Sequence, residues 1–208
     1  MARIFQNIDS ALFICLVYVM GIAASIGHNF TYVRFREIGG TGTHMGTSRM
    51  CSSIGGAIMF WYSGTLSLWL GIDNVFICSL LTVVMRFAIC AKMSDPRWGY
   101  LSELLRGLVF GLFWSSATIY ASHVASEDAR ATMMQILHSV YNGLGRSTGA
   151  LLGGKLQAKY GTVGLFENSA IGVAFLAGVL ILHKLRKRNV SGVEESSSLD
   201  HQEKEKIQ

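Results

Sequence analysis

The sequence predicts an all-α integral membrane protein: a bundle of six transmembrane helices over residues 1–185, built as a 3+3 inverted repeat, followed by a disordered cytoplasmic tail over 186–208. Three observations carry this reading. Half of the 208 residues are hydrophobic and only 15% are charged, whereas soluble domains carry about 25% charged residues. Apolar runs close to the ~20 residues that cross a bilayer recur six times along the chain. A glycine-framed pattern recurs at a fixed offset between the two halves.

The first span covers about residues 11–33. Its segment "MARIFQNIDSALFICLVYVMGIAAS" sets a basic residue ahead of an apolar stretch, as a secretory signal does. The apolar run continues through Ile26, however, which favours a retained helix. Further spans follow over 46–68, 74–91, 98–122, 132–156 and 163–185. The turn "SDPRWG" between the third and fourth contains the only proline. From Asn189 onward the chain is polar and free of aromatics, a composition that cannot build a packed core. Six spans place both termini on one side. Lys184, Arg186, Lys187 and Arg188 assign that side to the cytoplasm by the positive-inside rule, against Lys92, Arg97, Lys155 and Lys159 opposite. The net charge of +5 is thereby a membrane flank, and no nucleic-acid partner is expected.

The repeat is carried by "GTLSLWLG" at 64–71 and "GKLQAKYG" at 154–161, both G-x-L-x4-G and ninety residues apart. Each closes the second helix of a group of three, one on each side of the membrane, as an inverted repeat requires.

Several functions find no support. Cys15, Cys51, Cys78 and Cys90 show no CxxC spacing and read as buried small hydrophobes. There is no phosphate-binding loop and no metal-ligand pattern, so neither a metal nor a cofactor is expected. "SHVASED" at 122–128 gathers a serine, a histidine and acids without the spacing of a catalytic triad, so no enzyme is expected. The sequon at Asn29 lies inside the first helix, and "NVS" at Asn189 on the cytoplasmic side.

Charges inside spans are costly and usually functional or paired. Arg86 lies about five residues before the end of the third span and Glu103 about five after the start of the antiparallel fourth. At 1.5 Å per residue both sit roughly 8 Å below one surface, within reach of an ion pair. Arg106 shares the Glu103 face, and the stripe continues through Phe110, Trp114, Ala117 and Ala121. An acid, a base and an indole on one stripe suit a small polar ligand. A purely structural clamp between two helices and snorkelling to headgroups are the alternatives. In the fifth span Gly145, Gly149 and Gly153 form a small-residue stripe. His138, Asn142 and Arg146 make a polar face that lines a cavity or meets a partner helix. Glu167 is placed either to neutralise Arg146 or to face water.

The block "YLSELLRGLVFGLFWSSATIYASHVASEDARATMMQILHSVYNGLGRSTGALLGGKL", with "REIGGTGTHMG" and "VVMRFAI", resembles the carboxy-terminal half of the major facilitator superfamily. The resemblance is to its lactose-permease-like branch, which includes relatives of major facilitator superfamily domain-containing protein 6 and nucleoside:proton symporters. It covers about residues 10–185 and implies helices seven to twelve of a twelve-helix transporter. Arg86 stands where that branch carries an arginine implicated in proton coupling, and Arg106 where it carries a histidine. The branch's acids are replaced by Val109 and Gly56, and its loop motif by Leu68 and Trp69. The resemblance implies a transporter half for a small polar solute, with protons as the candidate coupling ion. The other wall then comes from a missing amino-terminal six-helix half or a second copy. The alternative is a non-transporting, receptor-like or scaffolding membrane protein derived from a transporter.

Overall fold

The computed structural model describes the backbone of residues 8–125 and 127–206, and the side chains of 11–125 and 127–182. Among the described residues every regular element is helical: α1 (Ile8–Glu37), α2 (Gly42–Leu70), α3 (Ile72–Lys92), α4 (Trp98–Val124), a 3-10 turn (Glu127–Ala129), α5 (Arg130–His138), a π-helical segment (Ser139–Gly145) and α6 (Arg146–Lys206). The expected tail over 186–208 and the basic cluster at 184–188 have side chains outside the described residues.

α6 is two helices joined across a break at Gly161, where φ is 70° and ψ is 178°. Gly71, between α2 and α3, has φ 77° and ψ 147°. Both lie at positive φ with extended ψ, a region open essentially to glycine alone. These are the closing glycines of the two G-x-L-x4-G motifs, so each motif ends one helix and starts the next. Gly161→Ala is expected to cost about 1–3 kcal/mol through that backbone strain. Thermal unfolding in detergent checks it, and an unchanged midpoint contradicts it.

Four described segments are long and apolar enough to cross a membrane: Ala11–Glu37, Ile72–Lys92, Trp98–Val124 and Glu127–Leu182. α2 is not among them, because serine, threonine and glycine dilute its apolar residues. Those small residues have a packing role. Ser48, Ser52, Gly55, Gly56, Ser63 and Ser67 form the buried face of α2, which lies along α4. Ser63 Oγ donates to Ser115 Oγ at 2.7 Å, and Ser67 Oγ lies 3.0 Å from Ser116 Oγ.

A second small-residue seam joins α1 to the π segment and the start of α6. Gly21 and Gly145 approach backbone to backbone, and Gly149 rests on Ile22 and Ser25. Tyr18 Oη donates to Thr148 Oγ1 at 3.0 Å across it. The apolar core between these seams includes Val17, Leu80, Phe87, Phe113, Leu137, Leu165 and Phe166.

The expectation that all four cysteines are buried is corrected. Only Cys90 is; Cys51 is half-buried, and Cys15 and Cys78 are exposed. In a membrane chain an apolar neighbourhood does not separate core from exterior, because lipid accepts apolar side chains as readily as the core does.

Candidate functional site

The site is built where α1, α3, α4 and the π segment meet. Glu103 on α4 is 1% exposed and Arg86 on α3 is 3% exposed; Arg86 Nη2 lies 2.9 Å from Glu103 Oε1. Arg106, one helical turn on from Glu103, donates from Nε to Glu103 Oε2 at 2.6 Å. One carboxylate therefore holds two guanidiniums. Charged partners make these hydrogen bonds the strong kind.

α1 completes the clamp. Arg86 Nη2 also donates to the Gly27 carbonyl at 2.9 Å and to Thr31 Oγ1 at 3.3 Å. A side chain at position 27 would overlap the Arg86 guanidinium, so this glycine makes room for the arginine. Behind the pair, Cys90 Sγ lies 2.9 Å from Ser102 Oγ and 3.7 Å from Thr31 Oγ1. The charged trio thus sits on a buried polar floor.

In front of it opens a cavity of about 220 Å³. Arg86, Arg106, Trp114, His138, Asn142 and Arg146 line it, together with Met20, Ala24, His28, Val83, Val109, Phe113 and Tyr141 among others. Six of the seven predicted residues share one cavity, and the seventh, Glu103, holds two of them in place. Trp114 forms an aromatic corner: Phe110 stacks on it with planes 9° apart, while His138 and Tyr141 have ring centroids 4.7 and 5.3 Å away.

His138, Asn142 and Arg146 form a chain along the opposite wall. Asn142 Nδ2 is 3.4 Å from His138 Nδ1, and Arg146 Nη1 donates to Asn142 Oδ1 at 3.5 Å. In a pure α-helix, residues four apart drift by about 40° at each step. The π segment, with its i→i+5 hydrogen bonds, runs between them, and all three side chains line the cavity. The fifth span, expected over 132–156, is helical throughout but passes from α to π over Ser139–Gly145 and back. Arg146 has no ion pair with Glu167 among the described residues, and Glu167 is exposed. The reading of Glu167 as a neutralising partner is not borne out.

With this geometry in view, the comparisons with known proteins decide the family. The chain belongs to the MFS_1 like family. The match covers residues 1–168 and so contains all seven predicted site residues. The chain is 28% identical over 162 residues to the maltose permease of Geobacillus stearothermophilus, covering 76% of this chain and 40% of that permease. It is 25% identical over 116 residues to the nucleoside permease NupG of Escherichia coli (strain K12), covering 54% of this chain and 28% of the permease. The chain thus spans less than half the length of these curated relatives. Membership of the MFS_1 like family places it in the major facilitator superfamily, and with its apolar helices makes it an integral membrane protein. Both of these matched relatives are permeases.

Sequence reasoning passed over His28 on α1, which lines the cavity and accepts from Arg49 Nη1 at 3.2 Å. The rule that flags ionisable groups within apolar spans reaches this histidine too. Tyr141 gave no such signal, because a tyrosine in an apolar helix reads as core.

Proposed function

We propose that this chain is one six-helix half of a secondary-active transporter of the major facilitator superfamily, and that the 220 Å³ cavity takes a small polar solute. The observation that carries the reading is the convergence on one cavity of Arg86, Arg106, Trp114, His138, Asn142 and Arg146, drawn from α3, α4, α5, the π segment and α6. Such a site has apolar walls with a few placed polar groups that fix orientation.

The six-span, 3+3 inverted architecture has three supports. The two motif-closing glycines share one unusual backbone conformation, ninety residues apart. α2 packs on α4 through small residues, and the start of α6 packs on α1 in the same manner. In an inverted repeat these are equivalent pairs, the second helix of one group against the first of the other. A missing amino-terminal half or a second copy supplies the opposite wall, and both termini face the cytoplasm.

One observation favours the second reading, a non-transporting derivative. Both oxygens of Glu103 are engaged by arginines, so proton traffic through it requires Glu103 to change partners.

Reconstitution into proteoliposomes tests the proposal, with uptake of labelled maltose, uridine and glucuronate followed with and without a pH gradient. Solute-specific uptake that falls at least about tenfold in Trp114→Ala and Asn142→Ala is expected, the scale of losing about 1.4 kcal/mol of binding. Uptake unaltered by both substitutions removes the cavity from the pathway. Absence of uptake under every condition favours the non-transporting reading.

A further inference from the structure

We infer that the solute of this cavity is an organic anion carrying a ring, its acid group held by Arg146 and Arg106 and its ring set against Trp114. This rests on the reading that the cavity takes the solute, and adds the solute's charge.

The argument is a charge balance. The charged side chains that line the cavity are three arginines: Arg86, Arg106 and Arg146. The acid bonded to them is Glu103, and both its oxygens are occupied, one by Arg86 and one by Arg106. Arg146 has only the neutral amide oxygen of Asn142, at 3.5 Å. Arg86 Nε, buried, has no hydrogen-bond partner among the described residues. One carboxylate against three guanidiniums leaves two positive charges in excess around this cavity.

The flanking groups do not restore balance. Arg49 reaches His28 Nδ1. A guanidinium has no acceptor, so that ring nitrogen must be the acceptor, and His28 brings no negative charge. Asn142 and His138 bring none either.

An uncompensated cation at membrane depth is costly, and a bound anion removes the cost. A guanidinium presents a planar fork that fits carboxylate and phosphate oxygens in pairs, so the acid group is the natural occupant. Trp114 is half-buried beside these forks, with Phe110 stacked on it and His138 edge-on. That aromatic corner suits a flat or pyranose ring attached to the acid.

The test uses the 208-residue chain purified in a neutral detergent, with binding read by calorimetry. Two probe series keep the ring and change the charge: glucuronate, glucose and glucosamine; and benzoate, benzamide and benzylammonium. The acid of at least one series is expected to bind about tenfold or more tighter than its neutral partner, with the ammonium weakest. Arg146→Gln should abolish that preference and Arg146→Lys should keep part of it. Arg146 makes only one long hydrogen bond, so folding should survive both changes, and an unchanged melting temperature verifies this. Equal binding of acid and neutral probes overturns the charge assignment while leaving the solute cavity standing. Failure of all six probes to bind overturns both. Phosphatidylglycerol is added as a competitor in a separate arm. If it occupies the site and no soluble acid does, the anion is a lipid headgroup and the inference of a solute fails.

Discussion

Replacing Glu103 with alanine is expected to destabilise the bundle by about 3–5 kcal/mol, the range found when one partner of a buried ion pair is removed. Arg86 is 3% exposed, so its guanidinium depends almost wholly on protein partners. Without the carboxylate it keeps only the Gly27 carbonyl and Thr31 as partners, beside the like charge of Arg106. Arg106 is 24% exposed and can turn further into the cavity, whereas Arg86 borders the cavity but is tied to Gly27 and Thr31. The asymmetry yields a second expectation: Arg86→Met combined with Glu103→Met should recover most of the loss, because an apolar pair of similar volume removes both desolvation costs. Unfolding in detergent of the parent, both single variants and the double closes the cycle. If Glu103→Ala melts within about 0.5 kcal/mol of the parent, the clamp contributes nothing and the pair's place in the fold is misjudged. If the double variant folds well but transports nothing, the pair is held for solute handling and not for stability.

The separation of these roles returns to what was legible beforehand. Helix positions followed from span length and punctuation: the expected 74–91 and 98–122 became Ile72–Lys92 and Trp98–Val124, with the lone proline in the turn between them. The Arg86–Glu103 pair followed from counting residues inward from two antiparallel helix ends, because rise per residue is fixed whatever the side chains are. Three features were not accessible by those means. The π segment depends on which carbonyl each amide selects, and side-chain spacing does not encode that choice. The cysteine burial failed because hydropathy in a membrane protein reports depth, not which way a residue faces. His28 is invisible to span length and rise; its signal lies in side-chain spacing, since Ser25 and Tyr32 stand three and four residues from it. The α2–α4 seam sits between these cases. Its residues at 48, 52, 55, 56, 63 and 67 recur at one- or two-turn spacing like the glycines of the fifth span, but in the sequence 46–68 reads only as a span, and its small residues do not stand out as a packing surface.

That seam carries the second large expected effect. A Cβ on Gly107 would collide with the Ser52 carbonyl oxygen and approach Gly56 N and Ser52 C to 2.8 Å. All three are backbone atoms of α2, so no rotamer change relieves the clash and the two helices must part. Their separation also stretches the Ser63–Ser115 and Ser67–Ser116 contacts farther along the interface. In lipid no hydrophobic gain opposes the separation, since apolar side chains are as well solvated by acyl tails as by each other. Gly107→Ala is therefore expected to cost at least about 2–3 kcal/mol, toward the upper end of ordinary overpacking. Gly64 and Gly154 provide the contrast. They open the two G-x-L-x4-G motifs, lie within helices, and have nothing within 4 Å of an added Cβ. Alanine at either should be neutral or stabilising by up to about 1 kcal/mol, because it reduces the backbone entropy lost on helix formation. Identical chemistry at three helical glycines thus predicts opposite signs, and one denaturant titration of the three variants reads them together. A Gly107→Ala chain as stable as the Gly64→Ala chain would mean that α2 and α4 do not approach at backbone distance. The floor of the cavity, which α4 carries through Glu103, Arg106 and Trp114, would then have to be rebuilt from a different helix register.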